Sequence, residues 1–183
     1  MKLKLIYFFI IIFIVFGNPL FFDFLPESPI IPMLTHYFLI SIFTYLGYKE
    51  TIKYNRWLLL AAISVIVLWH LPWLFDISTK NIVFWDLDVS TISLSSIALG
   101  SSLKYLKEGV IIFLFSLWML GESFLSYFWI VNPSLYSRPF SIYYQSQFPL
   151  AGTIMFLVMN LIGVYVILKL LFSKVFNEKS TQM

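Results

Sequence analysis

Residues 149–172 read PLAGTIMFLVMNLIGVYVILKLLF, and the single charge among them, Lys169, falls near the end. A helix needs about 20 mostly apolar residues to cross roughly 30 Å of hydrocarbon, so this run is long enough to span a bilayer. Working outward from it, five further segments of the same kind can be read, at approximately 5–24, 29–48, 56–75, 83–104 and 108–131. Six spans of this length take up about two thirds of the chain and leave no room for a soluble domain. The expected fold is all-α: a polytopic membrane helix bundle of about six transmembrane helices, forming one domain over 1–183.

The composition agrees. Of the 183 residues, 60% are hydrophobic, 20% aromatic and 11% charged, where a soluble domain carries about a quarter of its residues as charges. The 20 Phe, 11 Tyr and 6 Trp exceed what so short a chain can bury in water, whereas lipid solvates them directly. With no cysteine, disulfides, thiolate metal sites and Cys nucleophiles are excluded. The net charge of +3 is explained by topology and implies no nucleic-acid partner.

Lysine and arginine in short loops are retained on the cytoplasmic side. Lys2, Lys4, Lys49, Lys53, Arg56, Lys104, Lys107, Lys169, Lys174 and Lys179 fall on one side of the expected bundle, and only Lys80 and Arg138 on the other. Both termini are therefore expected in the cytoplasm of a multi-pass cell-membrane protein. The first segment, LIYFFIIIFIVF after Lys4, has a signal-like start, but Gly17, Asn18, Pro19, Leu20 and Phe21 offer no small-x-small cleavage site. It reads as a retained helix, bent at Pro19. The long outer connection, NPSLYSRPFSIYYQSQF at 132–148, alternates rings with hydroxyls. This suits a segment lying in the lipid headgroup zone, with a lid over the bundle as the alternative. Span four is dominated by Ser90, Thr91, Ser93, Ser95, Ser96, Ala98, Gly100, Ser101 and Ser102, which permit close helix approach and place it at the centre of the bundle.

Ionisable residues at membrane depth cost a few kcal/mol on insertion scales, so each is a functional candidate. His36, His70, Asp86, Asp88 and Glu122 all map to the outer half of the expected bundle. Two imidazoles with carboxylates at one depth can bind a metal, relay protons or ligate a haem; equally, they can simply hydrogen-bond neighbouring helices. Glu122 fits a structural hydrogen bond and a proton-handling role equally well. No catalytic triad, phosphate loop or zincin motif is present, and the chain does not read as an enzyme.

Three elements in order carry a family resemblance. Pro32, Met33, Leu34, Thr35 and His36, closed by Leu46 and Gly47, match a His-Met-x-x-His pattern in which proline replaces the first histidine. Trp69, His70, Leu71, Pro72, Phe75 and Asp76 match a Trp-His-x-Pro segment that leads into a His-x-x-Glu-His motif. Here Trp85, Asp88 and Val89 stand in for its first histidine, glutamate and last histidine. Pro133, Leu135 and Tyr136, then Leu150, Ala151, Gly152, Ile154, Met155 and Phe156, match a third element. Over roughly 30–172 the chain resembles the CtaG-type membrane proteins, which assist assembly of cytochrome c oxidase, and a related group of small archaeal membrane proteins.

That resemblance implies a non-enzymatic accessory or assembly factor of a respiratory oxidase, with oxidase subunits and membrane lipids as partners. Copper would be bound transiently in the outer half of the membrane. Its ligands would be His36 and His70, with Asp88 as a third ligand or a partner orienting an imidazole, and Met33 and Met155 as soft accessories suited to Cu(I). Pro32, Trp85 and Val89 cannot coordinate metal through their side chains. The alternatives are a structural subunit of a membrane complex that has lost metal binding, or a haem or quinone site.

Overall fold

Asparagine and proline set most of the helix boundaries. The computed structural model describes residues 10–11, 14–50, 55–137 and 141–180, with side chains to 169. Asn55 caps α2 (Arg56–Trp69) by accepting from the Trp57 amide at 2.9 Å. Asn81 ends α3 (Pro72–Lys80) and caps α4 (Ile82–Leu103) through the Val83 amide, also at 2.9 Å. Each satisfies one of the amides that a helix N-terminus leaves unpaired. The remaining long helices are α1 (Ile30–Lys49), α5 (Glu108–Val131) and α6 (Phe148–Ser180). Asn18 likewise caps a single turn at Pro19–Phe22.

The described chain is helical with no strand, and α1, α4, α5 and the stretch Gln145–Lys169 are each long and apolar enough to cross a membrane. The expected third span, 56–75, is instead two helices, α2 and α3, meeting at 71°; taken together they would make a fifth crossing. The cause is Pro72. A proline disfavours the helical conformation in the residue before it, and Leu71 is extended (φ −70, ψ 141), so α2 stops and Pro72 starts a new helix at its N1 position. Of the expected first span, residues 1–9 and 12–13 lie outside the described residues; 14–16 are helical and the chain bends at Gly17 and Asn18, just before Pro19.

Helix α4 lies at the centre of its group, packed on α1, α2 and α3, while α5 pairs with α6. Its serines bond back to their own helix, Ser93 to Val89 O at 2.6 Å and Ser96 to Ile92 O at 2.7 Å, so their hydroxyls are satisfied without widening the contact. Two glycines close it: a Cβ on Gly47 would overlap the carbonyl of Ile97, and one on Gly100 the carbonyl of Thr44. Lys104 Nζ donates to Glu50 O at the C-terminal ends of the same two helices. In α5, Glu122, Ser126 and Trp129 form the buried stripe, at the i, i+4, i+7 spacing of one helix face. Ser126 Oγ donates to Gly152 O of α6 at 2.7 Å. Phe113, Leu117, Leu120, Phe124 and Tyr127 on the other faces of α5 are exposed, as a lipid-facing surface requires.

The described residues of the 132–148 connection pack over the end of the bundle as a lid. Tyr136, Tyr143 and Phe148 are buried in one aromatic cluster with Phe75 and Trp129. Tyr143 donates to Leu25 O at 2.8 Å and Gln147 Nε2 to Glu27 O at 3.0 Å, tying the lid to the turn before α1. Burial, reinforced by the Asp76 carboxyl, pushes the Tyr136 and Tyr143 hydroxyls well above the usual phenol range, so both serve as donors. Tyr143→Phe is expected to cost about 1 kcal/mol, the net worth of one hydrogen bond. The readout is faster proteolysis within the lid at an unchanged helix content; a cleavage rate equal to the parent's would show that this bond does not hold the lid.

Candidate functional site

The site forms where the two helix groups meet, at the end of the bundle covered by the lid. At 1.5 Å per residue, His36 is about 9 Å into α1 and Asp88 about 9 Å into α4, while Glu122 is about 13 Å from the end of α5. His36, His70, Asp88 and Glu122 come to one level of the bundle. His36 Nε2 lies 3.0 Å from Asp88 Oδ2, with the two residues 2% and 0% exposed. A carboxylate only accepts, so the imidazole donates, and the nitrogen left available on His36 is Nδ1. Its ring is near-parallel to Trp85, at 12° and 6.2 Å between centroids. Asp88 Oδ1 has no partner among the described residues.

His70 owes its position to the same proline that bends the chain. As the residue closing α2, it has a carbonyl without an intrahelical partner, and the Tyr136 hydroxyl of the lid donates to it at 2.9 Å. Its Nδ1 lies 2.7 Å from Ile66 O; a carbonyl cannot donate, so Nδ1 carries the proton and Nε2 is the free position. Nε2 faces Glu122 Oε1 at 3.9 Å, beyond hydrogen-bond reach, while Tyr37 donates to the other oxygen, Oε2, at 2.8 Å.

The two imidazoles thus belong to separate acid–histidine pairs, yet their ring centroids are only 5.3 Å apart. Both rings line a cavity of about 10 Å³, roughly one water molecule in size, walled also by Met33, Tyr37, Glu122 and Met155 among others. Of the residues named from the sequence, His36, His70, Met33, Met155 and Glu122 come together. Asp88 stands behind His36 and orients it. Asp86 takes no part: two residues along α4 is about 200° around the helix, and its Oδ1 has no partner among the described residues. Tyr37 and Trp129 join the site without having been singled out: each is one of many aromatic residues in an apolar run, and no spacing marks it. Tyr136, part of the third element of the resemblance, also lines the site without having been a candidate for it.

Among the described residues no three His, Asp or Glu are grouped as metal ligands. A metal here would therefore rest on the two imidazoles and the thioethers, a soft donor set. Each histidine already gives its other ring nitrogen to a carboxylate or a backbone carbonyl, the arrangement that orients metal-binding imidazoles.

A family model described as a protein of unknown function (DUF1404) matches residues 7–173. No curated protein and no solved structure matches the chain.

Proposed function

The chain belongs to the DUF1404 family, and we propose that it is a membrane accessory factor of a respiratory oxidase that takes up Cu(I) transiently between His36 and His70. The observation that carries this reading is the approach of the two rings to 5.3 Å, with one nitrogen of each held from behind and the other left available. Metal–nitrogen bonds of about 2 Å to each ring fit that separation with small side-chain movement. Met33 and Met155 would supply thioether sulfur, which favours the cuprous ion, and Asp88 would keep the His36 ring in register. The resemblance to CtaG-type proteins supplies the oxidase as partner. The distribution of lysine and arginine supports cytoplasmic termini in the cell membrane, which places the site in the outer half of the bilayer.

Purified protein loaded with Cu(I) under reducing conditions is expected to retain about one copper per chain. His36→Ala and His70→Ala should each lower the affinity by a hundredfold or more. A parent that retains no copper, or variants that retain as much as the parent, would overturn the reading. Co-purification in fixed stoichiometry with oxidase subunits would instead indicate a permanent structural subunit.

A further inference from the structure

A second and much larger space opens beside the small cavity. A cleft of about 610 Å³, within the range of small-molecule sites, runs between α1 and α2 on one side and α5 on the other. Along α5 it extends from Ile111 to Phe128, about 25 Å at the helical rise, most of the thickness of a bilayer core. Its walls are aliphatic and aromatic, Phe115 and Trp118 among them. In its half toward the lid, His70 and Glu122 form a polar patch on its wall. There, His70 Nε2 and Glu122 Oε1 carry no hydrogen bond among the described residues, although Glu122 is only 6% exposed.

We propose that this cleft binds a membrane quinone in its reduced form, a ring hydroxyl donating to His70 Nε2 beside Glu122 Oε1 and the isoprenoid tail laid along α5 toward Ile111. Three features select this occupant over another lipid. Among the described residues no lysine or arginine lines the cleft, so no basic side chain there recognises a phosphate. The polar pair lies about 13 Å below the end of α5, a depth an uncharged ring reaches and a phosphodiester does not. A phospholipid entering from the opposite mouth would press methyl groups onto His70 and Glu122 and leave both without a partner. The cleft shares His70 and Glu122 with the small cavity but not His36; both occupants use His70 Nε2, so they are expected to exclude one another, and the quinone site is tested in copper-free protein.

Gly121 supplies the test, since it lines the cleft and a Cβ added there meets nothing within 4 Å. Detergent-solubilised, copper-free full-length protein is dialysed to equilibrium against decyl-benzoquinone kept in its reduced, quinol form. Decanol and dioleoyl phosphatidylglycerol serve as competitors. The expected result is saturable uptake of one quinone per chain, displaced by neither competitor and weakened at least tenfold by Gly121→Phe. Ser41→Phe fills the cleft from the α1 wall and guards against misfolding of the first variant. Both should keep the parent's helix content and copper uptake, and His36→Ala should keep quinone uptake. The proposal is overturned by non-saturable uptake, by decanol or the phospholipid displacing the quinone, or by both plugged variants binding as the parent does.

Discussion

Gly100→Val should leave no stable bundle. A β-carbon at this position overlaps the backbone carbonyl of Thr44, and no rotamer removes the clash because both partners are main chain. The reciprocal contact of Gly47 against the carbonyl of Ile97 sits one helical turn along, so α1 and α4 cross at a four-residue node of Thr44, Gly47, Ile97 and Gly100. In lipid there is no hydrophobic drive to press helices together; dispersion at close range and hydrogen bonds across the contact do that work, and both are lost if the axes separate. Overpacking in a soluble core costs about 1–3 kcal/mol, and a backbone collision at the centre of the bundle belongs above that range. The expected outcome is loss of the monodisperse peak in detergent, with a destabilisation of more than about 3 kcal/mol where refolding is reversible. Gly121→Ala is the internal control. Its new methyl group meets nothing, and replacing glycine within a helix gains roughly 0.5–1 kcal/mol, so the same kind of change should have the opposite sign. If Gly100→Val elutes and melts like the parent, the α1–α4 node does not hold the fold.

That node also shows what a single sequence can and cannot convey. The Ser, Thr, Ala and Gly content of 90–102 places α4 at the centre, because only small side chains let a membrane helix approach several others. The partner of Gly100, however, depends on a crossing angle that no linear pattern encodes. Helix boundaries followed hydropathy at α1, α4 and α5. They failed at Trp69–Pro72, where a local backbone rule overrode an unbroken apolar run. The packing of the lid was not legible for a related reason. Tyr136, Tyr143 and Phe148 have the amphipathic look of interfacial residues, but their hydroxyls and rings found buried partners on Leu25, His70, Phe75 and Trp129. Within the site, the cost of ionisable groups at depth was enough to single out His36, His70, Asp88 and Glu122. Which carboxyl serves which imidazole, and the presence of Tyr37 between them, required coordinates. The cleft had no sequence signature at all, since it is made by the distance between α2 and α5.

Asp88→Ala should have the second largest effect, and its size follows from two opposing comparisons. Intramembrane hydrogen bonds average about 0.6 kcal/mol and reach about 1.7, because alternative partners are available within the membrane. Removing one member of a buried ionic pair in a soluble core costs about 3–5 kcal/mol, because the other member is left unpaired. His36 is 2% exposed, is packed between Trp85 and His70, and has Asp88 as the sole acceptor for its Nε2 among the described residues. An intermediate loss of about 2–3 kcal/mol is expected, dominated by the stranded donor. Asp88→Asn keeps an acceptor oxygen and should recover more than half of it. His36→Leu combined with Asp88→Leu removes both partners and should cost less than the sum of the singles, with a coupling of about 1–2 kcal/mol. A structural pair would stop there. If Asp88 also orients a metal-binding imidazole, Asp88→Ala should weaken Cu(I) affinity by about 10- to 100-fold in protein that remains folded, whereas Asp88→Asn should not. Additive single variants would show that the two side chains do not act as a pair. Loss of stability with copper affinity unchanged would confine Asp88 to holding the helices together.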